Sequence, residues 1–239
     1  MKKTLSLLLI LCSSMLWANG NSEKTEDSVS NKNNTYPQRI ISLSPSTTET
    51  LFAIGAGDQV VGVTEYCDFP AEAASREKVG GYSAKTISIE TIISLNPDLV
   101  IAGVAAHQPI ADTLRDAGIP VLSIEPKTIE DIQNTILELA IITGHETKGK
   151  EITKNISERL EFIEKEISSL TIDQRISVFY EVWDAPLMTA GPGSFTGQMI
   201  EMAGGINIFS DASGDYPQIS SEELISRNPK ALVSSDTHG

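Results

Sequence analysis

Between Glu146 and Leu170 the apolar residues Ile152, Ile156, Leu160, Ile163, Ile167 and Leu170 recur in steps of three and four, and Lys, Glu, Arg and Ser fill the positions between. That spacing puts one narrow apolar stripe on a helix about 37 Å long. The stretch has no proline, and its single glycine, Gly149, lies near the start. A long helix with so thin a stripe lies along a surface or bridges two bodies. A coiled-coil arm is the lesser reading, because the charges follow no e/g pattern.

Upstream of this helix, short apolar runs alternate with helical stretches. Strands are predicted at Arg39–Leu43, Val60–Val63, Leu99–Ala102 and Val121–Ile124. Helices are predicted from Ser46 or Thr47 to Ile54, from Ser88 to Asn96, over Ile110–Ala117 and over Thr128–Thr143. Ser or Thr opens most of them, and Gly55, Gly118 and Gly144 close three. Such alternation implies crossover connections and a largely parallel sheet.

Downstream the pattern starts again, with a strand at Arg175–Phe179 and a helix from Ser194 to Ala203. The segment Ser88–Ile101 returns as Ser220–Val233, 132 residues later, with Ser, Glu, Ile, Ser, Asn and Pro in register. Tyr82 and Tyr216 precede the two copies in glycine-containing turns. We therefore expect an α/β protein of two similar lobes with mostly parallel sheets, joined by one long rigid helix. The second copy stops at Gly239 soon after its matching strand, so the second lobe reads as truncated. The expected organisation is a signal peptide over 1–18, a disordered leader over 19–36, an N-terminal lobe over 37–145, the connecting helix over 146–171 and an incomplete C-terminal lobe over 172–239.

Composition narrows the function. The formal net charge is −14, and −16 once Lys2 and Lys3 are removed with the signal, which argues against a nucleic-acid partner. The apolar run Leu5–Leu11 is too short to span a bilayer. Cys12 allows acylation, although Leu11 before it is not the small residue such sites prefer, so simple export ranks first. Cys67 then stands alone and excludes an internal disulfide.

In open parallel sheets, ligands gather beyond the carboxyl ends of the strands. The loops expected there are Ser44–Ser46, Glu65–Cys67, Gly81–Ser83, Ala105–His107, Glu181–Trp183 and Asp215–Tyr216. They collect Tyr66, Tyr82, Trp183 and Tyr216 in a chain that is only 5% aromatic, which suits a large, flat, partly apolar ligand. His107 is the histidine of this set, and it could meet a haem iron or cobalt centre; His145 lies at a helix boundary and His238 beside the terminus. No cluster of metal-ligating side chains is visible in the sequence, so a bare metal ion is not expected.

The segments Arg39–Ala56, Val61–Pro70, Val79–Tyr82 and Ile89–Val100 resemble the iron-siderophore/haem/vitamin B12 periplasmic binding protein family, nearest its cobalamin-binding branch. The resemblance runs from Tyr36 to Gly239. It implies a solute-binding subunit of an ABC importer, serving a permease dimer with its ATPase subunits. The protein would be a monomer, periplasmic or associated with the cell envelope, with no intrinsic cofactor. The cargo it implies is a metal chelate, cobalamin first and haem or a ferric siderophore as alternatives. Tyr66, Tyr82 and Tyr216 match positions where the cobalamin binders carry Tyr, Trp and Trp around the corrin. Val182 stands where they carry Phe, and the Val79–Glu90 loop is two residues longer here. Glu90 and Glu222 match the glutamates that dock permease arginines, although a first-turn acid also simply favours the helix dipole.

The competing reading is a secreted α/β enzyme with a carboxylate acid/base pair. It lacks support from a Gly-x-Ser-x-Gly elbow or a Walker loop, and the glycine-rich Gly191–Gly197 has no lysine. A surface adhesin has nothing beyond Cys12 and the leader in its favour.

Overall fold

The computed structural model describes residues 36–234. The signal peptide, Cys12, the leader up to residue 35 and His238 lie outside that range. In the first lobe, β1 (Ile40–Ser42), β2 (Val60–Val63), β3 (Glu77–Lys78), β4 (Leu99–Gly103) and β5 (Val121–Ile124) form a parallel sheet in the order β3-β2-β1-β4-β5. Both faces are covered, which explains the unbroken apolar runs. Ile40 and Ile101 pack on one side with Leu51 and Leu139, and Ile41 and Val100 on the other with Ile92 and Leu114.

The helices of this lobe are α1 (Pro45–Ala53), α2 (Ala71–Ala74), α3 (Ile89–Ser94), α4 (Val104–Asp116) and α5 (Ile129–Thr143). Ser44, not Ser46 or Thr47, caps α1, accepting from Thr47 N–H at 3.3 Å, and Pro45 takes the first helical position. A capping box opens α5, with Thr128 accepting from Asp131 N–H and Asp131 from Thr128 N–H, both at 3.0 Å. Helix α4 corrects the expected start at Ile110. It begins at Val104, takes in Pro109, and turns the expected 105–107 loop into its first turn. The reason is local: the Gly103 N–H at its cap donates to His107 Nδ1 at 2.9 Å, so the imidazole closes the helix start as a capping-box carboxylate would.

The connecting helix α6 (Glu146–Ser168) ends two residues before the expected Leu170. Its stripe serves different lobes at its two ends. Ile152 and Ile156 pack on the first core, together with buried Gly149 and Thr153. Gln133 of α5 donates to Thr153 O at 3.1 Å and Ser157 Oγ at 2.8 Å. Near the far end, Ile167 lies against Gly204 of the second lobe, where a Cβ would come within 2.8 Å of it. Ile163 between them is exposed.

The second lobe holds β6 (Ser177–Asp184), β7 (Leu187–Thr189), α7 (Phe195–Met202), β8 (Ile206–Asn207), α8 (Ser221–Arg227) and β9 (Ala231–Ser234). Strand β6 is parallel to β8 and β9 and antiparallel to β7, so the lobe repeats the first and adds a hairpin that the apolar pattern did not show. Strand β6 is longer than expected, and Glu181–Trp183 lie on it rather than in a loop. The 132-residue repeat is visible in the backbone. Ser88 and Ser220 cap α3 and α8, and Asn96 (φ 47) and Asn228 (φ 43) follow them in the left-handed region before a proline.

Two outcomes test the seat of α6. A Cβ on Gly149 would come within 2.4 Å of Ala140 Cβ, so the helices must separate to admit it. Gly149→Ala should therefore lower stability by roughly 1–3 kcal/mol in thermal melts, although helix propensity alone would raise it by about 1 kcal/mol. The Lys127 N–H first, then the Thr128 hydroxyl and N–H, hold the Asp131 carboxyl below the usual carboxylate range. Because the folded value is depressed, that contribution is present above the ordinary carboxylate pKa and lost as pH falls through the folded value. Asp131→Asn should thus unfold more easily than wild type at neutral pH, and melts at successively lower pH should show the difference closing in strong acid.

Candidate functional site

The carboxyl ends of the first lobe's strands carry loops that tie themselves down and leave an aromatic ring free. Behind Tyr66, the Cys67 thiol is buried 3.2 Å from the hydroxyls of both Thr48 and Thr64, and Lys78 Nζ donates to Cys67 O at 3.1 Å. The Tyr82 loop turns at Gly80 (φ 116), where a Cβ would strike Thr86 O at 2.2 Å. Gly81 N–H donates to Thr86 O at 3.1 Å and closes the turn. The two loops are joined by Glu65 N–H donating to Gly80 O at 2.8 Å. With their backbones so engaged, Tyr66 and Tyr82 remain 60% and 55% exposed.

The second lobe offers a similar pair. Trp183, near the end of β6, pairs with Met188 of β7, and its indole N–H donates to Ala185 O at 2.9 Å. Tyr216 follows Asp215, whose carbonyl accepts from Gly191 N–H at 2.8 Å, and precedes Pro217, whose carbonyl accepts from Thr189 N–H at 3.1 Å. Its segment thus runs beside β7, on the hairpin that carries Trp183. These rings are 53% and 46% exposed. Val182 is half-buried.

His107 is placed differently from the expectation. It lies on α4 rather than in a loop, 1% exposed. Since Nδ1 accepts from Gly103 N–H, the ring proton is on Nε2, which donates to Tyr82 O at 2.7 Å. The Tyr82 ring meets the imidazole edge-on, with centroids 5.8 Å apart. Neither nitrogen is left for a metal centre.

A cavity of about 350 Å³ lies among Ser44, Thr47 and Thr50 of the first lobe's α1 region, Gly103, Ile124, Ile136 and Phe195 of α7. It joins the two lobes at the ends of β1, β4 and β5, and Gln198 Nε2 of α7 lies 3.5 Å from Lys127 O beside it. Of this lining, sequence reasoning named only the Ser44–Ser46 loop and missed Phe195, Ile136 and their neighbours. The available signal was Phe195, an aromatic that opens the expected helix directly after the Gly191–Ser194 turn.

Glu90 and Glu222 occupy the second position of α3 and α8, and both are exposed. Ser88 Oγ lies 3.3 Å from Glu90 Oε2. The ion pair to Arg227 in α8 is made by Glu223, at 2.9 Å. Among the described residues no three His, Cys, Asp or Glu side chains group as a metal cage. Among those residues, too, no helix is long and apolar enough to cross a membrane.

Comparison with known proteins identifies the family and the fold. The sequence profile of the family described as periplasmic binding protein matches residues 40–237. The vitamin B12-binding protein of Vibrio cholerae serotype O1 is 33% identical over 200 residues, covering 83% of this chain and 71% of its own length. The crystal structure of the periplasmic vitamin B12 binding protein BtuF of Vibrio cholerae superposes with a TM-score of 0.72 at 32% identity, over 84% of this chain and 77% of that one. The apo form of the periplasmic heme-binding protein RhuT from Roseiflexus sp. RS-1 gives 0.72 at 28% identity, over 82% and 76%. A Bacillus subtilis relative named as an uncharacterized ABC transporter substrate-binding lipoprotein is 34% identical over 220 residues, covering 89% of this chain and 69% of its own length.

Proposed function

The chain belongs to the periplasmic binding protein family, and from that premise we propose that it is the exported solute-binding subunit of an ABC importer whose cargo is cobalamin. The observation that carries this reading is the pair of solvent-facing aromatics on each lobe, Tyr66 with Tyr82 and Trp183 with Tyr216, presented by loops and a hairpin that their own hydrogen bonds hold in place. Flat apolar faces presented in advance suit a large planar macrocycle, because little side-chain order is lost on binding. The similarity to vitamin B12-binding relatives supports cobalamin among such macrocycles.

Haem is the second reading, supported by the likeness to a heme-binding protein. With both His107 nitrogens engaged, an axial ligand to iron would come from a tyrosine phenolate, and Tyr66, Tyr82 and Tyr216 are the exposed candidates. A secreted enzyme is disfavoured. The carboxylates whose acidity is displaced, Asp131 and Asp211, serve a helix cap and an Arg227 ion pair and do not face one another as an acid/base pair would need. The protein acts as a monomer that presents Glu90 and Glu222, one from each lobe, to arginines of a permease dimer. Export follows from the amino-terminal signal, and the lipoprotein relative makes Cys12 acylation the alternative to free release; detergent partitioning of the mature protein separates the two.

Cyanocobalamin, haemin and a ferric hydroxamate, each incubated with the protein and then desalted, should leave the cobalamin spectrum with the folded protein. A protein that elutes without any of the three chromophores defeats the reading. Alanine at Tyr66, Tyr82, Trp183 or Tyr216 should weaken retention about ten-fold each, measured by titration, with the melting temperature unchanged. Reversing both charges, with Glu90→Arg and Glu222→Arg, should abolish stimulation of the transporter's ATPase in proteoliposomes while leaving cobalamin affinity intact. Unchanged stimulation would reduce the two carboxylates to helix-dipole partners.

A further inference from the structure

We propose that His107 is a positioning residue for the candidate ligand site, holding Tyr82 at its place through the backbone without touching the ligand. The inference rests on the reading of Tyr82 as a ligand contact. The Tyr82 loop makes its hydrogen bonds within itself and to the Glu65 strand end, between Gly81 and Thr86, Ser83 and Thr86, and Gly80 and Glu65. The Tyr82 carbonyl points the other way and accepts from His107 Nε2–H at 2.7 Å. The opposite side of the same ring accepts Gly103 N–H at 2.9 Å, fixing the imidazole to the first turn of α4.

One buried ring therefore spans from the cap of α4 to the loop that presents the aromatic. Its tautomer is set by the backbone donor on one side, which obliges it to donate on the other. A buried donor and acceptor that lose their partner cost more than the bond itself contributes, so the strut is strongly specified. Gly103 also lines the inter-lobe cavity. The ring thus ties that wall of the cavity to the Tyr82 loop.

Two substitutions separate the halves of this strut. His107→Gln places an amide near Nε2 and keeps a donor for Tyr82 O. His107→Asn places its oxygen near Nδ1 and keeps the acceptor for Gly103 N–H. Hydrogen exchange of the ligand-free protein, read by mass spectrometry over residues 80–87, should be about ten-fold faster in the Asn variant and in His107→Leu, and near wild type in Gln. Equal exchange in all four proteins overturns the proposal. This readout decides the strut even if no tetrapyrrole binds, so its failure is distinct from failure of the transport reading. In cyanocobalamin titrations, Asn and Leu should weaken binding five- to ten-fold and Gln should restore it. In a Tyr82→Ala background the same substitutions should have no further effect. A full additional loss in that background would mean that His107 acts by another route. Should the leucine variant not fold, the Gln and Asn pair still decides.

Discussion

The arrangement depends on how closely α6 can approach what it packs against. At its start, Gly149 lets Ala140 of α5 come within a distance that no Cβ would allow; near its end, Ile167 settles onto Gly204, again where a side chain would intrude. A missing side chain at each end of one helix thus sets where each lobe sits on it. Burial follows from these seats. Ile152 and Ile156 join the first core, and Gln133 satisfies polar groups along the seam. The polar caps of α5, from Thr128 to Gly144, matter because they fix the helix against which α6 rests.

The candidate site inherits this order at one remove. Parallel strands deliver their carboxyl ends to one edge of each sheet, and the loops there spend their hydrogen-bonding groups on one another. What remains exposed to solvent is aromatic side chain. Exposed rings on self-bonded loops differ from exposed rings on loose ones, because they arrive already oriented. The Cys67 thiol between two threonine hydroxyls, the glycine turn at Gly80 and the Trp183 indole bonded across its own hairpin are three local means to the same end.

Much of the fold was legible because its signals are local. The apolar runs of β1, β2, β4 and β5, the serine and threonine caps, and the glycine stops each rest on a few adjacent residues. The repeat between Ser88 and Ser220 could be read for the same reason, and its two left-handed asparagines show that it extends to single dihedral angles. The short α2, β3 and β8 carry too few residues to show a period, and three further features escaped because their causes lie further along the chain or in space. The early start of α4 needs an imidazole at its fourth residue to substitute for a cap, which the sequence pattern masks behind Pro109. The β6–β7 hairpin is set by pairing that apolar alternation does not encode. The inter-lobe cavity needs Phe195 and Ile136, from different lobes, to line one space. His107 is the instructive case: a histidine placed in a loop, where it could meet a haem iron or cobalt centre, is committed on both nitrogens to main chain, a fate visible once α4 is known to include it.

Helix α6 runs for 23 residues without a proline or an interrupting loop. Abrupt domain rotation needs a few residues that can swing through large dihedral changes, and an unbroken hydrogen-bond ladder supplies none. An unbroken helix favours flexure shared along a beam over rotation at a point within it. A latch that snaps between open and shut would have to pivot outside α6, where the chain leaves the helix after Ser168.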